Sequence, residues 1–458
     1  MSDPSTILRF RIAVRSPRQA EFDQLAIDIA TPGHPRYGDF LSRLDINVFL
    51  QPSRFVSDAI LYWLQSEGVS ADHIAEKGDW IYFVTQIGQA QRMFKTKYYD
   101  FHNGRRTISR TLEYSVPADL HPHIQMVHPT TWFATPNAHT STIFQSFGLD
   151  NQDIPRGYDT AFCNNTMTPA CLRHLYKIND FSAESHPLNS LDISGFLEQW
   201  VQYADVQRFI DHLAPYAINA SLVIHSVNGG VNPQGVLPNV DTSEANLDVQ
   251  YALALGANTS IVYYSTGGRP DVVPDLDIPP GTNSNEPYLD HLHHLLSLDD
   301  LQLPSVLSVS YGENEQTIPE EASRVICSLF GKLGVRGTSV IVSSGDSGVG
   351  SACQTNDGKN TTRFLPVFPA SCPFVTAVGG TKNVEPERAA RFSSGGFSDR
   401  FERPGYQDLA VKTYLQQLGS KWAGFFNPNG RAFPDVSAQS VNFTIYDHNS
   451  TVTVSGTS

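Results

Sequence analysis

Apolar and polar residues follow two different rhythms along this chain, and the change falls near residue 166. In the first part, Thr6-Ile-Leu-Arg-Phe-Arg-Ile-Ala-Val14 has the period of two that a half-buried strand needs. Phe22, Leu25 and Ile29 recur at helical spacing over 18–30, and Phe55, Ala59, Tyr62 and Trp63 mark a second helical face. Asp79 to Val84 reads as a strand, Gln89 to Phe94 as a short helix, and Arg110 to Val116 as a strand stopped by Pro117. This order predicts a small α+β unit, helices on one face of an antiparallel sheet, with its Tyr and Phe residues in the core.

Residues 131–165 lose periodicity and gain Thr, Asn, Ser and Gln, which is linker composition open to proteolysis. Beyond 166, apolar strands alternate with helices. Strands are expected at 191–194, 220–224, 260–264, 305–309, 339–342 and 374–378, with helices near 205–213, 243–255, 286–296 and 319–333. Strands this apolar are covered on both faces, so the sheet should be mostly parallel with helices on either side. Active groups gather at the carboxyl ends of such strands. The chain ends directly after a strand, at Val452-Thr-Val-Ser-Gly-Thr-Ser458.

A length of 458 residues implies two or three domains, and 40% hydrophobic residues is a globular balance. The net charge is −14 and no Lys/Arg run stands out, which argues against nucleic acid and anionic membrane as partners. No apolar run approaches the roughly 18 residues of a membrane span. The first residues lack the basic-then-apolar pattern of a signal peptide. Against a cytosolic reading stand six Asn-x-Ser/Thr sequons, at Asn164, Asn219, Asn258, Asn360, Asn442 and Asn449, all in the last two thirds of the chain. The five cysteines are confined there too, and their odd number implies a free thiol or an outside partner.

Candidate chemistry sits at three places. A Ser on a Gly-rich strand-to-helix turn, as in Ser455-Gly-Thr-Ser458, is exposed and can draw on helix N-terminal N–H groups. Such a nucleophile needs a base. None of the 15 His is followed by Gly, and Asp-Thr-Gly is absent, so a familiar Ser-His-Asp pattern is not found. Glu244 and Asp248, at i and i+4, share one helical face. An isolated pair of this kind is ordinarily a solvated acidic face. Here Leu247, Tyr251 and Leu255 make the helix core-facing, so the pair should be partly buried. Close, buried carboxylates share a proton and one pKa rises, giving a base suited to acidic pH. In Ser343-Ser-Gly-Asp-Ser-Gly348, Asp346 occupies a turn at the carboxyl end of a buried strand. That is either plain turn chemistry or, with the carboxyl protonated, a donor to a developing oxyanion. Asp290, His291, His293 and His294 have metal-compatible helical spacing, but with no second cluster a solvated helix face is expected, not a zinc site.

Taken together, the strings Glu244-Ala-Asn-Leu-Asp-Val-Gln-Tyr251, Ser308-Val-Ser-Tyr-Gly312, Ser343-Ser-Gly-Asp-Ser-Gly348, Phe368-Pro-Ala-Ser-Cys-Pro373, Val378-Gly-Gly-Thr381, Ser393-Ser-Gly-Gly-Phe397, Phe433-Pro-Asp-Val-Ser437 and Ser455-Gly-Thr-Ser458 resemble the sedolisin family. These are serine-carboxyl peptidases that include fungal and lysosomal tripeptidyl-peptidases, and the fungal secreted ones are the most similar. His34-Pro-Arg-Tyr-Gly38 resembles the family's prodomain signature, and Thr168-Pro-Ala-Cys-Leu-Arg173 its mature start. The resemblance implies an α/β subtilisin-like fold after an α+β ferredoxin-like prodomain: prodomain 1–135, linker with processing region 136–165, peptidase 166–458. It implies Ser458 as nucleophile, Glu244 as base, Asp248 as its partner and Asp346 for the oxyanion. Ser308, Ser310 and Gly312 should bind substrate backbone as an added strand.

The family also implies self-cleavage at low pH, and protein or peptide substrates cut at acidic pH by release of N-terminal tripeptides, with endopeptidase action as the alternative. A secreted monomer is expected, the vacuole or lysosome being the other destination. The family extends beyond both ends of this sequence, so truncation is expected, and with it the alternative of an inactive, non-catalytic module. The calcium that the family carries would find its ligands beyond residue 458, and no metal ligand is assigned. Within that frame Cys163 and Cys171 form a local bridge, Cys327 reaches Cys372, and Cys353 is left for a partner beyond the last residue.

Overall fold

The computed structural model describes residues 1–458 except 103–106, 132–143, 148–153, 156, 184–185, 187–188, 236–239, 270–271 and 279–284. Half of the expected linker and processing region, 136–165, therefore lies outside the described residues. In the N-terminal unit, β1 (Ile7–Val14) leads to α1 (Gln19–Ala30) and α2 (Arg54–Ser66). The hairpin β2 (Ile74–Lys77) and β3 (Trp80–Gln86), the short α3 (Ile87–Met93) and β4 (Ile124–His128) follow. The sheet order is β2-β3-β1-β4, antiparallel throughout, which is the ferredoxin-like arrangement.

Strand alternation divides this sheet. Phe10, Ile12 and Val14 face the unit's own helices and pack with Val56, Ile60, Trp63, Leu64 and Met93. The sequence reading of this stripe was one step off, because Phe55 and Tyr62 point to solvent at 79% and 75% exposure. A second correction concerns the strand expected at 110–116. Residues 107–110 pair only with 99–102, and the sheet's fourth strand is β4. β4 was hidden because His123 and His128 bracket a short, incompletely alternating apolar run.

In the larger unit the principal elements are β5 (Ser190–Gly195), α4 (Tyr203–Leu213), β6 (Ser221–Val227), α5 (Ser243–Leu255), β7 (Ser260–Thr266), α6 (Tyr288–Ser297), β8 (Val306–Val309) and α7 (Glu320–Val335). They continue with β9 (Ser339–Ser343), β10 (Thr376–Lys382), β11 (Arg388–Ala389), β12 (Val436–Gln439) and the hairpin β13 (Phe443–Asp447) and β14 (Ser450–Ser455). The sheet runs β11-β10-β9-β8-β5-β7-β6, with β12 beside β10, and only β11 is antiparallel. Helices α4 and α5 cover one face through Val206, Ile210, Ala245 and Val249. Helices α6 and α7 cover the other through Leu292, Leu295, Phe330 and Leu333. The expected mostly parallel sheet with helices on both faces is thus present. Cys163–Cys171 and Cys327–Cys372 are disulfides, and Cys353 is a free thiol.

The two units share a core. Ala13, Trp80 and Met126, on the sheet face turned away from the unit's own helices, join the cluster of α6 and α7. Lys332 on α7 gives both oxygens of Asp79 a hydrogen bond, at 2.6 and 2.8 Å, in a buried setting. Arg11 on β1 pairs with Asp290 on α6 and donates to Nδ1 of His128 at 3.2 Å. The solvated face expected for Asp290 to His294 is overturned here. His291 is 1% exposed, and His293 stands edge-on to the Trp80 ring with its Nδ1 3.3 Å from the Tyr82 hydroxyl. His293 thus faces the N-terminal unit, whereas His291 packs inside the peptidase unit, with its ring nitrogens 3.0 Å from the Ser194 hydroxyl and 3.1 Å from the Thr266 hydroxyl.

Candidate active site

Helix α5 is buried on nearly every side, which is unusual for a helix carrying two carboxylates. Ala245, Val249 and Leu253 pack on Ile193 and Tyr263 of the sheet. Leu247, Tyr251 and Ala254 pack on Tyr446, Val452 and Val454 of the β13–β14 hairpin. Polar side chains then fix the helix's rotation. Gln250 donates to the Tyr446 carbonyl at 2.7 Å and accepts its N–H at 3.0 Å. Asn246 donates to Asp447 at 2.7 Å. The hairpin held this way is the one that runs into Gly456-Thr457-Ser458.

Glu244 lies in the first turn of α5, where the positive end of the helix dipole favours an anion, and is 2% exposed. One turn on, Asp248 Oδ1 accepts a hydrogen bond from the Ser310 hydroxyl at 2.9 Å. Its Oδ2 is shielded from solvent and has no hydrogen-bond partner. Burial pushes the Asp248 carboxyl up to about 7, against the opposing pull of the Ser310 hydroxyl. Tyr263 and Tyr311 border both carboxylates. Burial drives each phenol well above its usual value, and the charges of Asp248 and Glu244 add to the effect.

Asp346 follows β9 and is buried. Its Oδ1 accepts the Thr457 N–H at 2.7 Å, while the Gly345 N–H donates to the Thr457 hydroxyl at 3.0 Å. The structure thus seats the peptide just before Ser458 on the Asp346 turn, with Ser458 itself exposed. Ser308 lies inside the sheet, paired with Ile193 on one side and Ile341 on the other, so its backbone is engaged by neighbouring strands. Ser310 and Gly312 continue past the carboxyl end of β8, and the next residues, Glu313 and Asn314, pair with Val367 and Phe368.

Four charged side chains not singled out from the sequence gather at the same carboxyl edge. Glu198 follows β5, Arg269 follows β7, Glu286 precedes α6 and Glu313 follows Gly312. Arg269 pairs with Glu198. Glu286 is 2% exposed, and burial, then the Glu313 charge, raise its carboxyl well above the usual range against the pull of Arg269. Strand ends and helix starts could have flagged these positions, but nothing local marks them as neighbours. Among the described residues no three His, Cys, Asp or Glu side chains come together to hold a metal ion.

Residues 2–133 match the model described as Pro-kumamolisin, activation domain. A probable tripeptidyl-peptidase SED3 of Arthroderma benhamiae is 50% identical over 461 residues, covering 99% of this chain and 76% of that protein. A probable tripeptidyl-peptidase SED4 of Trichophyton verrucosum is 49% identical over 99% of this chain and 75% of its own length. Tripeptidyl-peptidase SED2 of Arthroderma otae is 45% identical over 100% of this chain and 77% of its own length. Among solved structures, Pseudomonas sedolisin complexed with two molecules of pseudo-iodotyrostatin superposes with a TM-score of 0.41 at 18% identity, over 64% of this chain and 77% of that one.

Proposed function

The chain belongs to the sedolisin family as a serine-type peptidase precursor with its activation domain, and from that premise we propose that it releases tripeptides from free N-termini in acidic medium. The observation that carries this reading is the buried pair on α5, with the Asp248 carboxyl pushed up to about 7. Below that pH Asp248 keeps its proton, which leaves Glu244 the role of base. Glu244 takes the Ser458 hydroxyl proton as the Ser458 oxygen attacks the scissile carbonyl carbon. The C–N bond then breaks and the amine leaves with that proton. Water then attacks the acyl carbon as Glu244 takes its proton, the bond to the Ser458 oxygen breaks, and Glu244 returns the proton to that oxygen. The Thr457 N–H occupies Oδ1 of Asp346, so a proton on that carboxyl is carried by Oδ2, a donor for the oxyanion.

Exopeptidase action over endopeptidase action is favoured by the similarity to tripeptidyl-peptidases. Secretion as a glycosylated monomer fits two disulfides and the exposure of Asn219, Asn258, Asn360 and Asn449. The Asn164 and Asn442 side chains are instead engaged in hydrogen bonds to backbone and are weaker acceptors of a glycan.

The test is a pH–rate profile of the matured enzyme on a tripeptide amide with its N-terminus free or acetylated. The free substrate should be cut best in acid, with activity declining as pH passes about 7, and the acetylated one should be cut far less well. A maximum above neutrality would point to a conventional histidine base and sink the reading.

A further inference from the structure

Ser310 stands directly beyond β8, and the period of two continues through it. Leu307 and Val309 point to the α6–α7 side. Ser308 and Ser310 therefore point to the side that α5 covers. The two serines differ in surroundings, since Ser308 has a strand on each side and Ser310 has passed the sheet's edge. The hydroxyl of Ser310 reaches Asp248 Oδ1 at 2.9 Å, while Asp248 Oδ2 stays shielded and without a hydrogen-bond partner. The ionisable groups bordering the site are Glu244 on the same helix, Tyr263 from β7 and Tyr311 beyond β8. Both phenols are neutral over the working range, because burial and the two carboxylates push them well up.

We propose that Ser310 is a positioning residue for catalysis: its hydroxyl occupies Asp248 Oδ1, so that the shared proton resides on Oδ2, the oxygen left for Glu244. This rests on the reading of Glu244 and Asp248 as the proton-sharing pair. It assigns the Ser310 side chain a task separate from substrate pairing, which uses the main chain. A carboxyl turned the other way would give its proton to the serine and leave Glu244 without a partner. The hydroxyl also favours the ionised carboxyl. Its removal therefore makes Asp248 keep its proton to higher pH.

Ser310→Ala, Ser310→Cys and Ser310→Thr, each in the full-length precursor and assayed after maturation on a free tripeptide amide, test this. In Ser310→Ala kcat should fall roughly tenfold at unchanged KM, as expected for a lost hydrogen bond to an acid pair. The alkaline limb of its profile should move to higher pH. Ser310→Cys keeps the volume with a poor donor and should behave alike, covering the case in which alanine fails to fold. Ser310→Thr should restore both kcat and the limb. A wild-type limb in Ser310→Ala and Ser310→Cys, or a threonine variant that restores nothing, would overturn the assignment. Glu244→Gln run alongside separates the two levels. If it keeps wild-type activity the acid-pair reading fails, and if it is inactive while the Ser310 variants match wild type only the positioning role fails.

Discussion

Asp79 and Asp248 are both held away from solvent, one under the N-terminal sheet and one at the end of the peptidase sheet, and they are provided for differently. Asp79 has an ammonium group on both oxygens, at 2.6 and 2.8 Å from Lys332. What acts on Asp248 is burial and a single hydroxyl. A buried carboxylate with a cation beside it can remain an anion and fasten two units together. One whose neighbours are another carboxylate and two tyrosines is driven to hold a proton instead. Under the proposed mechanism identical side chains thus serve as a clasp in one region and as acid–base equipment in the other, and the difference lies in what the neighbouring strand or helix contributes.

The sharpest way to break this comparison is to remove the charge that the active-site pair needs. Glu244→Gln should lower kcat by roughly 10³–10⁴-fold with little change in KM, because the amide cannot take the serine proton. Measured on the matured enzyme, a loss of less than about tenfold would show that Glu244 is not the base. The next effect is at the clasp. Lys332→Met strands Asp79 in a buried site, at a cost of roughly 3–5 kcal/mol to the contact between the units. Backbone hydrogen exchange in β3 should rise in the precursor, and activity should appear at a pH where the wild-type precursor is still latent. The double variant Lys332→Met with Asp79→Leu should recover most of the loss, since an apolar pair of similar size replaces an ion pair at little net cost.

Much of this was legible in the sequence where local pattern and packing agree. The helix expected at 243–255 is α5, because Leu247, Tyr251 and the acidic pair obey one helical period. Burial of that pair followed from the same apolar neighbours. The faces of α2 and α6 were not legible, for a shared reason. Phe55 and Tyr62 look like core residues, yet the stripe that packs is Val56, Ile60 and Trp63, a choice made by the sheet beneath them. His291 and His293 look like a polar surface, yet His291 is buried against Ser194 and Thr266 of the sheet, and His293 stands edge-on to Trp80 of a unit contributed by a distant part of the chain. The second role of Ser310 was readable in principle. Alternation from Leu307 and Val309 puts its side chain on the α5 side, but only the fold shows that Asp248 is opposite it.

The smallest of these effects concerns the histidines around the clasp, and it sharpens the comparison because here too burial governs charge. Burial drives His128 well below its usual value, and the nearby Arg11, Arg110 and His293 act in the same direction. His293 is lowered likewise, by burial and then by Arg11 and Lys332. Both imidazoles are therefore neutral while the units are packed and take up protons more readily once the units part. The packed state binds fewer protons, so its stability falls as pH drops below about 6.5, the ordinary histidine value, and continues to fall down to the depressed values. Each histidine contributes at most roughly 1.4 kcal/mol per pH unit over that window. His293→Gln, with an amide that never charges, should move the half-point of precursor conversion to lower pH, and adding His128→Gln should move it further. An unchanged half-point in the double variant would leave the carboxylate ion pairs alone as the acid-sensitive part of the contact. The two regions would then differ in what their carboxylates are paired with, and the imidazoles would be packing groups only.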